Sequence, residues 1–207
     1  MMSCNFSIKT FDELTAVDVY QILKARAQVF IVEQNCAYQD IDEADFDCLH
    51  LIAHQDEKLI GYCRIVPPNF ASNTGKVDSV VYTFNASAAG SMPAIGRVLV
   101  LPMYRGNGLA RQIMTQAIQY CHKKYGKKTP ITISAQTYLL DFYRSLGFVA
   151  NSNFYLADGL EHVNMVLYPT KKVKAPIIQS SNTSTILNTL LLILAVLFVV
   201  GVVYLMI

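Results

Sequence analysis

The sequence predicts an α/β domain followed by one transmembrane helix. Two observations support this expectation: strand-like and helix-like patterns alternate between Thr10 and Tyr168, and an uncharged apolar run extends from Ile186 to Ile207. The chain is 53% hydrophobic and only 15% charged, whereas about 25% charged residues is typical of soluble domains. The apolar run accounts for much of this difference. We therefore divide the chain into a domain (1–168), a polar basic linker (169–185) and a tail (186–207).

The tail is long enough to cross a bilayer. It contains no Asp, Glu, Lys, Arg or His, and at about 1.5 Å per residue it forms a helix of about 33 Å, against a bilayer core of about 30 Å. A buried core helix is the alternative, but such helices seldom exceed about 14 uninterrupted apolar residues. Lys171, Lys172 and Lys174 precede the tail. Because positive residues stay on the cytoplasmic side, we expect a single-pass membrane anchor with the domain facing the cytoplasm.

Sequence periodicity places the elements of the domain. Thr10 and Glu13 have the spacing of a capping box, which predicts a helix start, and apolar residues then recur at helical spacing as far as Phe30, with a break near residues 15–18. An acidic loop over 35–47 follows, and 69–93 form a long connection that holds a short strand (79–84) or a helix. The other predicted elements are strands over 48–54, 59–66, 95–101 and 130–136, helices over 109–125 and 139–146, and a closing antiparallel pair over 154–156 and 163–168.

Charge and cysteine usage argue against two kinds of site. A net charge of +2 gives no argument for nucleic-acid binding, so no nucleic-acid partner is expected. The five cysteines are odd in number, and no CxxC or Cys/His pair has metal-ligand spacing, so no metal is expected. Five reduced cysteines in a cytosolic domain are the simplest interpretation.

A strand, a glycine-containing turn and a helix start follow one another between Gly96 and Arg111. This arrangement directs several backbone N–H groups and the positive end of a helix dipole at one point, where phosphate binds. Gly106 and Gly108 have no Cβ, so a phosphate can approach the backbone. No GKS or GKT follows, and no GxGxxG with a later acid is present, which argues against nucleoside-triphosphate and dinucleotide sites. By themselves the glycines leave an ordinary strand-to-helix turn open.

Two segments carry a resemblance to the GNAT acetyltransferase family. Arg105-Gly-Asn-Gly-Leu-Ala110 resembles the R/Q-x-x-G-x-G/A signature that holds the pyrophosphate of acetyl-CoA, and it follows a similar strand end, Val100-Leu-Pro102. Phe142-Tyr-Arg-Ser-Leu-Gly-Phe148 resembles the family's FYxxxGF segment. The ElaA-like branch is more similar still, with resembling segments over 30–38, 134–136 and 155–162. The tail departs from that branch, and so does Ala157, where the branch usually has an acid.

The resemblance implies a mixed, splayed central sheet flanked by helices, the acyl-CoA N-acyltransferase fold. The sheet would open between the strand ending near Leu101 and the strand 131–136, and the acyl-pantetheine arm would lie in this gap like an added strand. It also implies transfer of an acetyl or other acyl group from acetyl-CoA to a primary amine by direct attack. The expected CoA-binding residues are Leu99, Val100 and Leu101 for the arm, Arg105, Gly106, Asn107, Gly108, Leu109 and Ala110 for the pyrophosphate, and Gln136.

Catalytic roles also follow from the resemblance. Tyr143 is the expected general acid for the leaving thiolate, with a packing tyrosine as the alternative. A backbone N–H of Val100 or Leu101 is expected to polarise the thioester carbonyl. The attacking amine must be neutral, so a base or a water chain is needed. The candidates for that base or for substrate contacts are Glu33, Asp158 and His162, with His50 a remoter one.

Several questions stay open at this level. Arg97 has two interpretations, a structural residue or a CoA contact, and Cys36 is not expected to be a nucleophile because no His lies near it in the sequence. A non-catalytic acyl-CoA sensor or scaffold at the membrane is the alternative function. The sequence names neither the amine acceptor, which is a small molecule or a protein, nor the membrane.

Overall fold

The computed structural model describes residues 4–70, 91–157 and 159–169. Its strands are β1 (Asn5–Thr10), β2 (Leu49–Gln55), β3 (Lys58–Val66), β4 (Ala94–Val100), β5 (Ile131–Gln136), β6 (Val149–Ala150), β7 (Tyr155–Ala157) and β8 (Leu160–Leu167). Its helices are α1 (Ala16–Arg26), which continues as a π-helical segment (Ala27–Glu33), α2 (Leu109–Tyr125) and α3 (Leu140–Arg144).

The strands form one mixed sheet in the order β1-β2-β3-β4-β5-β8-β6, with β7 also paired to β8. Among the described pairs, only β4–β5 is parallel, and its register contains a single pair, Ala94 with Thr132. Beyond that pair the two strands separate. The structure thus confirms the expected mixed sheet that opens between these two strands, and we call the opening the β4–β5 gap.

A β-bulge interrupts β4 where the gap begins. Tyr62 pairs with Leu99 and Arg64 with Gly96, so Cys63 alone lies opposite two residues, Arg97 and Val98. The Arg97 φ angle is 52°, in the left-handed region that non-glycine residues seldom occupy. The bulge therefore shifts the alternation of β4 by one residue at the mouth of the gap.

Helices pack on the two faces of the sheet. On one face, α2 and α3 cover the larger core, to which Ile113, Met114, Ala117, Ile133, Tyr143 and Phe148 belong. On the other face, α1 and the π-helical segment cover Ile52, Tyr62 and Leu99 in a smaller core. β3 lies between the two cores and is buried on both sides. The α1 face of β5 and β8 holds polar side chains instead, and Ser134 there is exposed.

Most predicted elements occur within one or two residues of their expected bounds. The helix 109–125 is confirmed as predicted, and the closing antiparallel pair is present as β7 and β8. The prediction of a helix start at Thr10 with a break near residues 15–18 is confirmed in outline, although the first part is shorter than an α-helix. The Thr10–Glu13 capping box exists, but it begins a 3₁₀ turn (Phe11–Glu13), and α1 starts after a second capping box formed by Thr15 and Asp18. β1 was not predicted.

Three predicted segments lie outside the described residues, as does the candidate residue Asp158: the short strand over 79–84, nearly all of the linker, and the tail. Within 4–70, 91–157 and 159–169, no helix is both long and apolar enough to span a bilayer. All five cysteines fall in the described ranges, and all carry reduced thiols.

Candidate active site

The backbone at the end of β4 faces the gap at one residue. The Leu101 N–H donates to the Ile60 carbonyl at 3.0 Å, and Val100 is opposite Gly61 in the register. Neighbouring residues of an antiparallel strand direct their backbone groups in alternate directions. The N–H and C=O of Val100 therefore point away from β3 and into the β4–β5 gap. Of the two N–H groups expected to meet a thioester, only that of Val100 points into the gap.

The turn before α2, residues 105–110, has the form of a phosphate-binding site, and we call it the glycine cradle. Gly106 and Gly108 have φ angles of 80° and 77°, which glycine adopts without the Cβ clash. A Cβ at either position would meet no atom within 4 Å, so the space beside the turn is open. Gly108 is the N-cap of α2 and supplies no side-chain cap, which leaves the N–H groups of the first helical turn for a ligand. The expected pyrophosphate residues 105–110 are brought together here.

Arg105 is held from two sides. Its Nη1 and Nη2 donate to the two Glu33 carboxylate oxygens at 2.6 and 2.8 Å, and its Nε donates to the Val100 carbonyl at 2.8 Å. The hydrogen bonds from Arg105 hold the pKa of Glu33 below its ordinary value. Glu33 thus lies at the mouth of the gap, as the family layout implies, but its ionised carboxylate is already paired. This geometry favours a positioning role for Glu33 over that of a general base.

A second contact joins the same segment to the other side of the gap. The side-chain amides of Gln34 and Gln136 exchange hydrogen bonds at 3.3 and 3.2 Å, and Gln136 ends β5. Residues 33 and 34 therefore connect the end of the π-helical segment to both strands that flank the gap. Gln34 was missed from the sequence, because its partner is 102 positions away along the chain and no local pattern indicates it.

Tyr143 lies under the gap on the α2 side. It is buried in the larger core together with Cys63, Val100 and Ala135, which belong to the three strands around the gap. Burial raises its pKa, with smaller effects from Cys63 and Tyr138, so its phenol stays protonated. Among the described residues no hydrogen-bond partner occupies its hydroxyl, which leaves that group for a ligand.

The α1 face of β5, β7 and β8 forms a polar wall beside the gap. Ser134 and Tyr155 hydroxyls are 2.6 Å apart, and the Tyr155 hydroxyl donates to the Asn164 side-chain oxygen at 2.7 Å. The ring of His162 stacks on Tyr155 with centroids 6.0 Å apart. Ser134, Tyr155 and Asn164 were not predicted as a set. This wall is the surface that an acceptor entering from the α1 side would meet.

The candidate bases have different surroundings. His162 Nδ1 is 2.8 Å from the Leu160 carbonyl, which only accepts. In a neutral ring Nδ1 therefore carries the proton and Nε2 is the basic nitrogen. His50 is buried, and its two nitrogens contact the Tyr62 hydroxyl and the Asp45 carbonyl, so it has no free nitrogen for a substrate. Asp158 lies outside the described residues. The Cys36 thiol is buried.

The Arg97 side chain is engaged by residues on the α1 side of the sheet. Its Nε donates to Asp40 Oδ1 at 2.6 Å, and its guanidinium lies 5.9 Å from the centre of the Tyr38 ring. This favours the structural interpretation of the two left open by the sequence. The aspartates around Arg97 were missed. A signal exists for two of them: Arg64 interrupts an otherwise apolar strand, and a buried arginine requires carboxylates nearby, which here are Asp42 and Asp45.

Comparisons with known proteins agree with this geometry. A family model described as an acetyltransferase (GNAT) domain matches residues 13–169. A UPF0039 protein of Schizosaccharomyces pombe is 34% identical over 168 residues, which cover 81% of this chain and 99% of the relative. Protein ElaA of Escherichia coli K12 is 33% identical over 155 residues, 74% of this chain and 89% of ElaA.

Solved structures lead to the same family. The crystal structure of an acyl-CoA N-acyltransferase from Pseudomonas aeruginosa superposes with a TM-score of 0.66 at 32% identity and covers 79% of this chain and 99% of that one. The resemblance to the ElaA-like branch is confirmed by these matches. With the splayed sheet and the glycine cradle, they establish that this chain is an acyltransferase that belongs to the GNAT acetyltransferase family.

Proposed function

We propose that this protein transfers an acetyl group from acetyl-CoA to a primary amine while residues 186–207 tether it to a membrane. The observation that carries the transferase proposal is the β4–β5 gap with the glycine cradle at its open end. The Val100 backbone groups face that gap, and a pantetheine arm pairs with such an edge as an added strand does. Acetyl-CoA supplies the acyl group, and a neutral primary amine is the acceptor.

The reaction is a direct attack. The amine nitrogen forms a bond to the thioester carbonyl carbon while the Val100 N–H stabilises the developing charge on the carbonyl oxygen. The C–S bond then breaks, and Tyr143 gives its proton to the CoA thiolate. The nitrogen loses its one excess proton towards His162 Nε2, Asp158 or water, and a proton from the same source or from solvent returns to the Tyr143 phenolate, which regenerates the enzyme. Holding the two reactants in line accounts for most of the acceleration, since no covalent enzyme intermediate forms.

The membrane part rests on the sequence. The tail is uncharged and long enough to cross a bilayer, and the lysines before it favour a cytoplasmic domain. A tether would restrict the acceptor to amines that reach the membrane surface, either free in the cytoplasm or carried by membrane proteins or lipids.

The test follows acetyl-CoA binding by calorimetry and free-thiol release with a panel of primary amines, using the full chain in nonionic detergent. We expect micromolar binding and thiol release that depends on an amine. Gly108→Ala should weaken binding at least about tenfold, because it adds a Cβ at a φ of 77° in the open side of the cradle.

Gly126→Ala is the matched control, since Gly126 also has a positive φ but ends α2 on the side opposite the cradle. It should leave binding unchanged. Binding without release for any amine, soluble or membrane-linked, would favour the sensor alternative. A folded protein that binds no acyl-CoA would refute the proposal.

A further inference from the structure

A network of buried ion pairs lies behind β4 on the α1 face. Asp40 has no exposed side-chain surface and contacts two arginines: its Oδ2 accepts from Arg26 Nε at 2.7 Å, and its Oδ1 accepts from Arg97 Nε at 2.6 Å. The Tyr38 hydroxyl donates to the same Oδ1 at 2.8 Å. Asp40 therefore connects the end of α1 to the bulge of β4.

The rest of the network holds Asp40 in place. Arg26 also donates to Asp45 at 2.7 and 2.8 Å, and Arg64 donates to Asp45 at 2.7 Å and to Asp42. Three arginines thus face three aspartates, so the charges balance, and Arg26 and Arg64 are almost fully buried. Largely buried charges that are joined by several hydrogen bonds restrict one another to few arrangements of low energy. Asp40 consequently has a well-defined position, and the bulged part of β4 is anchored to it through Arg97.

Arg97, the β4 residue that pairs with Asp40, has a strained backbone. Arg97 combines a φ of 52° with the bulge, and it lies three residues after Ala94, the last residue of β4 that pairs with β5. A left-handed conformation of a long side chain persists only where its surroundings hold it. The Asp40 carboxylate and the Tyr38 ring hold the Arg97 side chain, and an Asp42 carboxylate oxygen lies 3.8 Å from its Nη2.

The bulge decides which backbone groups face the gap. Before it, Ile95 packs in the larger core; after it, Val98 and Val100 pack there and Leu99 packs on the α1 side. One residue fewer would reverse this alternation and turn the N–H and C=O of Val100 towards β3. The groups that a thioester needs are therefore presented only while the bulge exists.

We propose that Asp40 and Arg97 are positioning residues for acyl transfer, because their ion pair holds the β4 bulge that directs the Val100 N–H and C=O at the acyl-CoA. This inference rests on the proposed function. Neither side chain touches the reacting atoms, and the pair acts through the β4 backbone.

Two substitutions separate the ion pair from the backbone strain. Arg97→Ala removes the anchoring side chain but keeps a Cβ at a left-handed position. Arg97→Gly removes the same side chain, yet glycine adopts that φ without strain. Lys9→Ala is the control, since it breaks a partly buried ion pair of similar exposure, with Asp18, at the far edge of the sheet. Melting temperatures establish that each variant is folded before kinetics are measured.

We expect Arg97→Ala to lower kcat/KM for acetyl-CoA at least about tenfold, since a misplaced backbone donor costs this much or more, and to leave KM for the amine within twofold. Arg97→Gly should recover at least half of the lost activity on a logarithmic scale, and Lys9→Ala should match wild type. Equal losses of kcat/KM in Arg97→Ala and Arg97→Gly would show that the Arg97 side chain acts directly and not through the β4 backbone. Unchanged Arg97→Ala kinetics would show that the bulge needs no anchor. Either result overturns the inference.

Hydrogen exchange of the β4 peptide 94–101, read by mass spectrometry, supplies a measurement that does not depend on turnover. Exchange should be faster in Arg97→Ala than in wild type and close to wild type in Arg97→Gly. If wild-type protein neither binds nor acetylates, the proposed function fails while this comparison still decides whether Arg97 holds the bulge. Equal exchange of this peptide in all three proteins would overturn the inference that Arg97 holds the bulge.

Discussion

Tyr143, the proposed general acid, shows how burial would bear on the chemistry of a single residue. The apolar core raises the pKa of its phenol, which by itself makes Tyr143 a weaker acid. The same apolar surroundings disfavour any anion, so a CoA thiolate that forms beside Tyr143 becomes a stronger base. Because both pKa values move in the same direction, proton transfer from the phenol to the departing sulfur remains feasible as the C–S bond breaks.

Tyr143→Phe should reduce kcat by about a hundredfold, because it removes a general acid and little else. The ring still packs against Phe142 and Phe148, so acetyl-CoA affinity by calorimetry should change less than about threefold. Tyr125→Phe, a partly buried tyrosine at the far end of α2, is the control and should retain full activity. A loss of kcat below threefold in Tyr143→Phe would exclude the acid role.

At the scale of an element, α1 is secured at its first turn. Asp18 closes the capping box with Thr15 and pairs with Lys9 of β1 at 2.8 Å, so the helix start is tied to the sheet edge. Burial opposes ionisation of Asp18, but the Lys9 ammonium and the Thr15 N–H and hydroxyl outweigh it and lower the pKa of Asp18 to about 2. The π-helical segment that ends at Glu33 continues from the opposite end of this helix.

Because the pKa of Asp18 is lower in the folded than in the unfolded chain, its ionisation stabilises the fold above about pH 4, and this contribution is lost as the pH falls through about 2. We expect the difference in unfolding free energy between wild type and Asp18→Asn to shrink by about 2 kcal/mol from pH 5 to pH 2. Urea titrations of a chain ending at residue 174 measure it. Asp141→Asn, at an exposed pair, should show almost no such change. A pH-independent difference for Asp18→Asn would contradict the assigned pKa.

For the whole molecule, the sequence predicted what local patterns encode. The α2 helix and the cradle before it follow from one continuous stretch, in which glycine spacing and apolar periodicity agree. The closing hairpin around Gly159 was likewise local. Together with the family resemblance, these segments were sufficient to place the gap between β4 and β5.

The rest depends on contacts between distant residues. β1 is an exception, because a short local signal was available and was missed: Phe6 and Ile8, which pack against the larger core, alternate with Asn5, Ser7 and Lys9. Glu33 meets Arg105 across 72 positions, and Arg97 meets Asp40 across 57. Such pairs appear only when the sheet assembles, which is why a role for Glu33 could be suggested from the resemblance but its engaged carboxylate could not.

The proposed membrane tether concerns the whole chain, and it is testable without reference to catalysis. A helix over 186–207 would expose mainly apolar side chains to lipid. Its insertion removes apolar surface from water, which is favourable by about 25 cal/mol per Å². We therefore expect the full chain, expressed in cells, to sediment with membranes and to resist extraction by alkaline carbonate, whereas a chain ending at residue 174 remains in the supernatant.

Leu194→Arg together with Val199→Arg should release the full-length chain, because each charge near the middle of a span opposes insertion by about 3 kcal/mol, while Leu194→Ile with Val199→Ile retains membrane association. Protease added to intact membrane vesicles of known orientation should digest the domain only from the cytoplasmic side, since three lysines precede the tail. Extraction of the full chain by carbonate would refute the tether. Digestion from the opposite side would refute the cytoplasmic orientation and leave the tether intact.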